Sequence, residues 1–370
     1  MVLINCVSMD YAGRQANLQR DLGRSGLDAL LITHLPNIRY LCGFTGSAGT
    51  LLVTESRSAF FTDGRYKEQA STEVRVSRII TGRKSPVTMA AEWLKRNARK
   101  LGVRVLGIEG QHLTVAEHSQ LEKALRPTVR LRKSPPLVEQ ARMVKDADEI
   151  ALLRAALELG ERLFDVAIKT IRAGVTETEV AAEMEFAARR AGAEAMSFET
   201  IIASGPRSAL PHGRASTTEI PAKGFVVCDF GIILAGYCSD MTRTVHVGRI
   251  SADAQEMYDA VRIAQQAAIE AVRPGATADK VDRAARTALA RKGLGRYFTH
   301  STGHGVGLEI HEPPRIAARQ KDTLQVGMVI TIEPGVYVPG FAGVRIEDMV
   351  LVTESGCEVL TRTSKELLIV

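Results

Sequence analysis

The chain has 370 residues, of which 45% are hydrophobic, enough for two domains with ordinary apolar cores. Its net charge is +6, but the densest basic runs, 95–100 and 126–133, carry no interleaved aromatics. A solvated basic surface is expected, not a nucleic-acid interface. Five cysteines (Cys6, Cys42, Cys228, Cys238, Cys357) are scattered and odd in number. They fit a reducing, cytoplasmic setting better than a disulfide scaffold, with Cys228 and Cys238 as small buried hydrophobes. The N-terminus does not read as a signal peptide, and no run of about 20 apolar residues predicts a membrane span.

Residues 1–133 alternate strand and helix patterns, as in a small α/β domain. Asp28-Ala29-Leu30-Leu31-Ile32-Thr33 reads as a first buried strand, and 50–53 with 59–62 as a hairpin. Segments 74–80 and 103–108 read as further strands, and 86–100 and 114–125 have helical spacing. Gly43-Phe44-Thr45-Gly46-Ser47-Ala48-Gly49 is followed by no helix signal, so a turn between strands is expected here, not a phosphate cradle. Ser134-Pro135-Pro136 breaks the pattern, giving a connector over 134–145 and a second domain over 146–370.

The second domain opens with a helix capped by Asp146 or Asp148, with Ile150, Leu153, Leu157 and Phe164 on its apolar stripe and an end near Gly174. Thr176-x-x-Glu179 is a capping box for the next helix, which Gly192 ends. Strand-like segments fill 198–247. The arrangement repeats: Ile171-Arg172-Ala173-Gly174-Val175-Thr176 resembles Val272-Arg273-Pro274-Gly275-Ala276-Thr277, 101 positions later, and further strands follow over 298–352.

Acidic residues sit in this domain's apolar runs, where charge is normally excluded. Phe225-Val226-Val227-Cys228 runs into Asp229, and Asp240 follows a turn. Val329-Ile330-Thr331-Ile332 ends on Glu333, and Glu347 falls inside an expected strand over 344–352. An unpaired buried carboxylate costs several kcal/mol, so each needs a partner or a cation. The offsets 229 to 333 (104), 240 to 347 (107) and His212 to His311 (99) follow the repeat. Two halves would then each supply two carboxylates and a histidine to a shared site, with His304 as the extra member. Four carboxylates balance two divalent ions, and this donor set suits manganese while tolerating cobalt or zinc. A water held between such ions becomes a nucleophile near neutral pH.

Taken singly, each residue has a plainer reading. Asp240 could be salt-bridged, Glu347 could pair with Arg345, and His304, His311 and His300 could be loop, turn and surface residues. Gly303-x-Gly305-x-Gly307 lacks the helix start that a dinucleotide loop needs. Neither a Gly-x-Ser-x-Gly elbow nor a His-Glu-x-x-His motif occurs.

Several ordered stretches resemble the aminopeptidase P and prolidase branch of the methionine aminopeptidase-like metallopeptidases. They are Leu210-Pro211-His212-Gly213, Asp229-Phe230-Gly231, Gly236-Tyr237-Cys238-Ser239-Asp240-Met241-Thr242-Arg243-Thr244, His300-Ser301-Thr302-Gly303-His304-Gly305-Val306-Gly307, His311-Glu312, Glu333-Pro334-Gly335 and Gly343-Val344-Arg345-Ile346-Glu347-Asp348. Arg39-Tyr40-Leu41-Cys42-Gly43-Phe44-Thr45-Gly46-Ser47 and Thr62-Asp63-Gly64-Arg65-Tyr66 resemble that family's creatinase-type N-terminal domain. The resemblance implies a pita-bread catalytic domain with internal pseudo-symmetry. It implies two metal ions, usually manganese, on Asp229, Asp240, His304, Glu333 and Glu347, with Asp240 and Glu347 bridging. Glu333 would also take the proton of the attacking water, His212 and His311 would line the substrate site, and His300 and Arg345 would support it. The expected activity is removal of an N-terminal residue preceding proline by the hydroxide between the metals, and the expected assembly is a homodimer. The stretches at 43–47 and 63–66 favour aminopeptidase P over prolidase, the alternative. A metal-free binding protein on the same fold is the remote alternative, since such a protein would be expected to lose ligands.

Overall fold

The structure is a computed structural model that describes residues 9–370; Cys6 lies outside them. The chain divides into two compact units, one ending at Arg142 and the other Met143–Val370.

The first unit contains α1 (Tyr11–Arg24), β1 (Ala29–Ile32), α2 (Leu35–Cys42), β2 (Thr50–Thr54), β3 (Ser58–Asp63), α3 (Lys67–Glu73), β4 (Arg78–Gly82), α4 (Pro86–Leu101), β5 (Val105–Ile108), α5 (Val115–Leu125) and β6 (Arg130–Lys133). Its strands form one sheet in the order β4-β3-β2-β1-β5-β6. The hairpin of β2 and β3 is present, with Thr50 opposite Phe61. The expected strand over 74–80 begins only at Arg78, because Val76 takes a left-handed φ of 64° and turns the chain first. Segment 43–49 does not join two strands. It follows α2, whose C-cap Gly43 has φ 84° and donates its N–H to Arg39. Helix α1 escapes the apolar pattern because its buried face includes Arg14 and Gln15.

A short helix, α6 (Leu137–Met143), occupies part of the expected connector. The second unit continues with α7 (Ala147–Thr170), α8 (Glu177–Arg190), β7 (Ala195–Met196), β8 (Ile201–Ser204), β9 (Gly224–Phe230), β10 (Ile232–Leu234), β11 (Tyr237–Cys238) and β12 (Met241–Val247). Then come α9 (Ala252–Ala271), α10 (Ala278–Arg291), β13 (Gly303–Gly305), β14 (Glu312–Ile316), β15 (Val329–Ile332), β16 (Gly335–Val338), β17 (Ala342–Arg345), β18 (Asp348–Thr353) and β19 (Gly356–Val359). Asp146 caps α7 in a reciprocal box with Glu149, and Thr176 does the same for α8 with Glu179. Helix α7 stops at Thr170, short of Gly174, and Ile150 is only half-buried while Leu153, Leu157 and Phe164 are buried.

Both halves of this unit repeat the same local design. Gly174 and Gly275 take φ of 84° and 81°. The Gly174 N–H donates to Ile220 at 3.0 Å, and the Gly275 N–H to Leu324 at 2.9 Å. Each helix pair covers its own apolar core. That of α7 and α8 includes Leu163, Met184, Val226 and Phe230, and that of α9 and α10 includes Val261, Val281, Ile330 and Val350. Burying these faces is the main driving force for each half. The expected strand over 344–352 is two strands. β17 pairs with β16 and β18 pairs with β15, leaving Ile346 and Glu347 between them.

Candidate metal centre

The five expected ligand positions converge from both halves. Asp229 lies near the end of β9 and Asp240 immediately before β12, in register neighbourhood because Asp229 faces Thr242. Glu333 follows β15, Glu347 precedes β18, and His304 is the middle residue of β13. Ligand-capable atoms of Asp240, His304 and Glu347 all lie within 4.8 Å of one another. Gly303 and Gly305 make room for this. A Cβ on Gly303 would sit 1.9 Å from the Thr331 carbonyl oxygen, and one on Gly305 would sit 2.2 Å from that of Pro313. The Gly-x-Gly spacing therefore serves close strand packing around His304.

The donor set has the character of a cation site. His304 Nδ1 lies 2.9 Å from the Gly305 carbonyl, which only accepts, so Nδ1 carries the ring proton. Nε2 then turns a lone pair toward Glu333 at 3.5 Å and Asp240 at 3.6 Å. These are not ion pairs, because burial drives the His304 pKa down to about 4. Asp229 Oδ1 and Asp240 Oδ1 are buried with no hydrogen-bond partner among the described residues. Burial, reinforced by Glu347 and the other carboxylates, raises Asp240 well above the usual range; burial and Glu333 do the same to Glu347. Burial pushes Glu333 up to about 8. Clustered acceptors that resist ionisation without a counter-charge are what a divalent ion would relieve.

Four hydrogen bonds hold Arg345. Its Nη2 pairs with Asp229, Nε donates to Thr242 Oγ1, and Nη1 donates to Tyr337 and to the Pro211 carbonyl. The alternative pairing of Arg345 with Glu347 does not form, since the strand breaks between them. Glu347 instead accepts from Thr242 Oγ1 at 2.8 Å. Asp240 is likewise not paired with Arg243, which bonds to Asp348. His300 spends both ring nitrogens internally, on the Ser301 carbonyl and on Tyr337. Burial lowers its pKa to about 4.

A cavity of about 900 Å³ opens on this group and includes His212, His300 and His311 in its lining. His212 and His311 are exposed to it, and the His311 ring stands edge-on to His304 with centroids 4.4 Å apart. Burial lowers the His311 pKa, so its ring is neutral near pH 7. Arg345 and two further guanidinium groups line the cavity. Arg214 is paired with Glu199 at 2.8 Å, whereas exposed Arg315 has no ion pair or side-chain hydrogen bond among the described residues.

Residues 151–354 match the model of metallopeptidase family M24, and residues 14–144 match the creatinase/prolidase N-terminal domain. The chain belongs to metallopeptidase family M24. Among its M24 relatives, the Xaa-Pro dipeptidase of Pyrococcus horikoshii is 38% identical over 94% of this chain and 96% of its own. A solved Xaa-Pro dipeptidase from Bacillus anthracis is 40% identical, with a TM-score of 0.93 over 98% of this chain and 100% of that one. An X-Pro aminopeptidase from Thermotoga maritima is 37% identical, with a TM-score of 0.86 over 95% of this chain and 100% of that one. The M24 unit has the pita-bread fold of these neighbours, and its N-terminal unit is of the creatinase type. Among the described residues no helix is long and apolar enough to cross a membrane.

Tyr337, Thr242 and Arg315 touch this cluster or line its cavity, and the sequence reading did not single them out. Thr242 lies two residues after Asp240, within the Gly236–Thr244 stretch, and that spacing on one strand face was the signal available. Tyr337 and Arg315 carry no signal in the sequence, because their importance lies in contacts or cavity walls made by distant segments.

Proposed function

We propose that this protein is an Xaa-Pro dipeptidase that hydrolyses the bond between a first residue and a C-terminal proline, using two divalent metal ions. The observation that carries the reading is the buried convergence of Asp240, His304 and Glu347, joined by Asp229 and Glu333, beside a cavity lined by Arg315, which has no ion pair among the described residues. Asp229, Asp240, His304, Glu333 and Glu347 would hold the ions, with Asp240 and Glu347 shared. Manganese suits the donors best, with cobalt or zinc as substitutes. Bound there, the ions would polarise the scissile carbonyl and acidify a water molecule. Arg345 offsets one of the four negative charges, so one divalent ion still leaves the group negative and two leave it with a single positive charge.

The protein's own groups then have distinct tasks. Glu333, set beside His304 at 3.5 Å, would as a carboxylate take up the proton of the attacking water. Neutral His311 donates an N–H to the developing oxyanion, a type of contact worth about 2.7–4 kcal/mol. His212 offers a second donor from the opposite half of the repeat. His300 and Arg345, both hydrogen-bonded to Tyr337 inside the protein, support these groups.

The N-terminal stretches favoured aminopeptidase P, but two things favour the dipeptidase. Relatives at 38% and 40% identity carry that name. Arg345 is held by Asp229, Thr242, Tyr337 and the Pro211 carbonyl, whereas exposed Arg315 has no ion pair or side-chain hydrogen bond among the described residues and can meet a substrate carboxylate. The Thermotoga maritima neighbour keeps aminopeptidase P as the second reading. Free Cys42, Cys228, Cys238 and Cys357 suit a cytoplasmic setting. A homodimer is proposed from the family resemblance alone.

The test compares hydrolysis of Ala-Pro and Ala-Pro-Ala by manganese-loaded protein, with metal content measured on the same sample. Preference for the dipeptide is expected. A strict preference for the tripeptide returns the assignment to aminopeptidase P, and less than about one ion per chain points to a binding protein.

A further inference from the structure

Glu177 is the first residue of α8 and is fully buried. Its carboxylate accepts from the backbone N–H of Ser204 at 2.8 Å and the Ser204 hydroxyl at 2.9 Å. It also accepts from Arg207 Nε at 3.0 Å, from the Ser216 N–H at 3.1 Å and from the Ser216 hydroxyl at 2.7 Å. Arg207 donates onward to the Arg214 carbonyl at 2.8 Å. Ser204 and Ser216 are the two stems of one loop, and His212 lies between them. The exposed His212 ring has no hydrogen bond or ion pair among the described residues, so the backbone alone sets its place.

The repeat supplies an internal control. The residue 101 positions after Glu177 is Ala278, also fully buried and also the first residue of its helix. The Glu177 N–H donates to Thr218 at 3.0 Å and the Ala278 N–H donates to Asp322 at 2.9 Å, so the backbone task is the same. Ala278 performs it without a carboxylate. A buried carboxylate is costly unless well paired, and this one spends its acceptor capacity on the stems of the His212 loop. Starting a helix does not explain it.

We propose that Glu177 is a positioning residue for His212, holding both stems of the loop so that the ring faces the cavity; its catalytic consequence rests on the dipeptidase reading above. Glu177→Gln keeps the shape and removes the charge that recruits Arg207. In manganese-loaded full-length protein, Glu177→Gln is expected to lower kcat/KM on Ala-Pro about tenfold at unchanged metal content. In a His212→Ala background it is expected to add less than about twofold, because the two act through one group. In spectra of 15N-histidine-labelled protein, Glu177→Gln should shift the signals lost in His212→Ala and leave those of His246 in place. Fully multiplicative rate losses, or unmoved His212 signals, overturn the proposal. If Glu177→Gln does not fold, Arg207→Ala removes one arm of the brace from its exposed side and takes the same measurements. If the wild type cleaves neither peptide, the dipeptidase reading fails and the histidine signals alone decide the brace.

Discussion

The guanidinium of Arg345 pairs with the carboxylate of Asp229, across the interface of the two halves of the repeat, while Glu347, only two residues away, turns to Thr242 instead. This pairing supplies the cluster with an internal cation and spends it on one carboxylate. Truncating one member of a buried pair leaves the other uncompensated, at about 3–5 kcal/mol. Arg345→Ala should therefore destabilise metal-free protein by about that amount, read by urea denaturation, and reduce turnover as well. A stability change under about 1 kcal/mol would show that Asp229 does not depend on Arg345.

The metal-free site should oppose folding increasingly as pH rises. Glu333 titrates at about 8 in the folded protein because of burial, against about 4.3 in an unfolded chain. Between those values the folded state keeps a proton that the unfolded chain has released. Its contribution to stability is complete below about 4.3 and is lost as pH rises through about 8. Asp240 and Glu347 shift in the same direction. Bound cations displace these protons, so metal affinity should rise across the same window. Manganese is expected to raise the melting temperature more at about pH 8 than at about pH 6, and Glu333→Gln to flatten the slope of the metal-free protein. Equal stabilisation at both pH values counts against this account.

Chelation offers a simpler check. Exhaustive removal of metal should abolish hydrolysis, and added manganese should restore it. Asp240→Ala should not be rescued, because His304 and Glu347 lose their shared neighbour. Full activity in either the chelated protein or Asp240→Ala would exclude the proposed chemistry.

Arg315 should act on substrate charge. A hydrogen bond to a charged group contributes about 1.5–3 kcal/mol. Arg315→Ala is thus expected to raise KM for Ala-Pro roughly 10-fold to 100-fold, with little effect on Ala-Pro-amide, which lacks the carboxylate. Equal losses on both substrates would assign the carboxylate to another group.

The buried thiols should be inert. Burial pushes Cys42, Cys228 and Cys238 up to about 12, so almost no thiolate exists at neutral pH. Peptide mapping after iodoacetamide treatment of native protein should find these three unmodified until denaturant is added. Rapid native labelling of Cys238, the one nearest Asp240 in sequence, would reveal an opening of the site.

Acidic residues placed against Val and Ile runs, the two capping boxes and the 101-residue repeat were legible from the chain alone, because each is a local violation or signature with a local cost. Asp229, Asp240, Glu333 and Glu347 stood out for that reason, and so did His304 between its glycines. Which carboxylate Arg345 would choose was not legible. It depends on the break at Ile346 and Glu347, and hence on two sheets competing for neighbouring residues. The occupancy of His300, the availability of Arg315 and the hold of Glu177 on the His212 loop were decided only by the tertiary structure. Hydrogen-bond partners there come from segments tens of residues apart, and only folding sets their distance and direction.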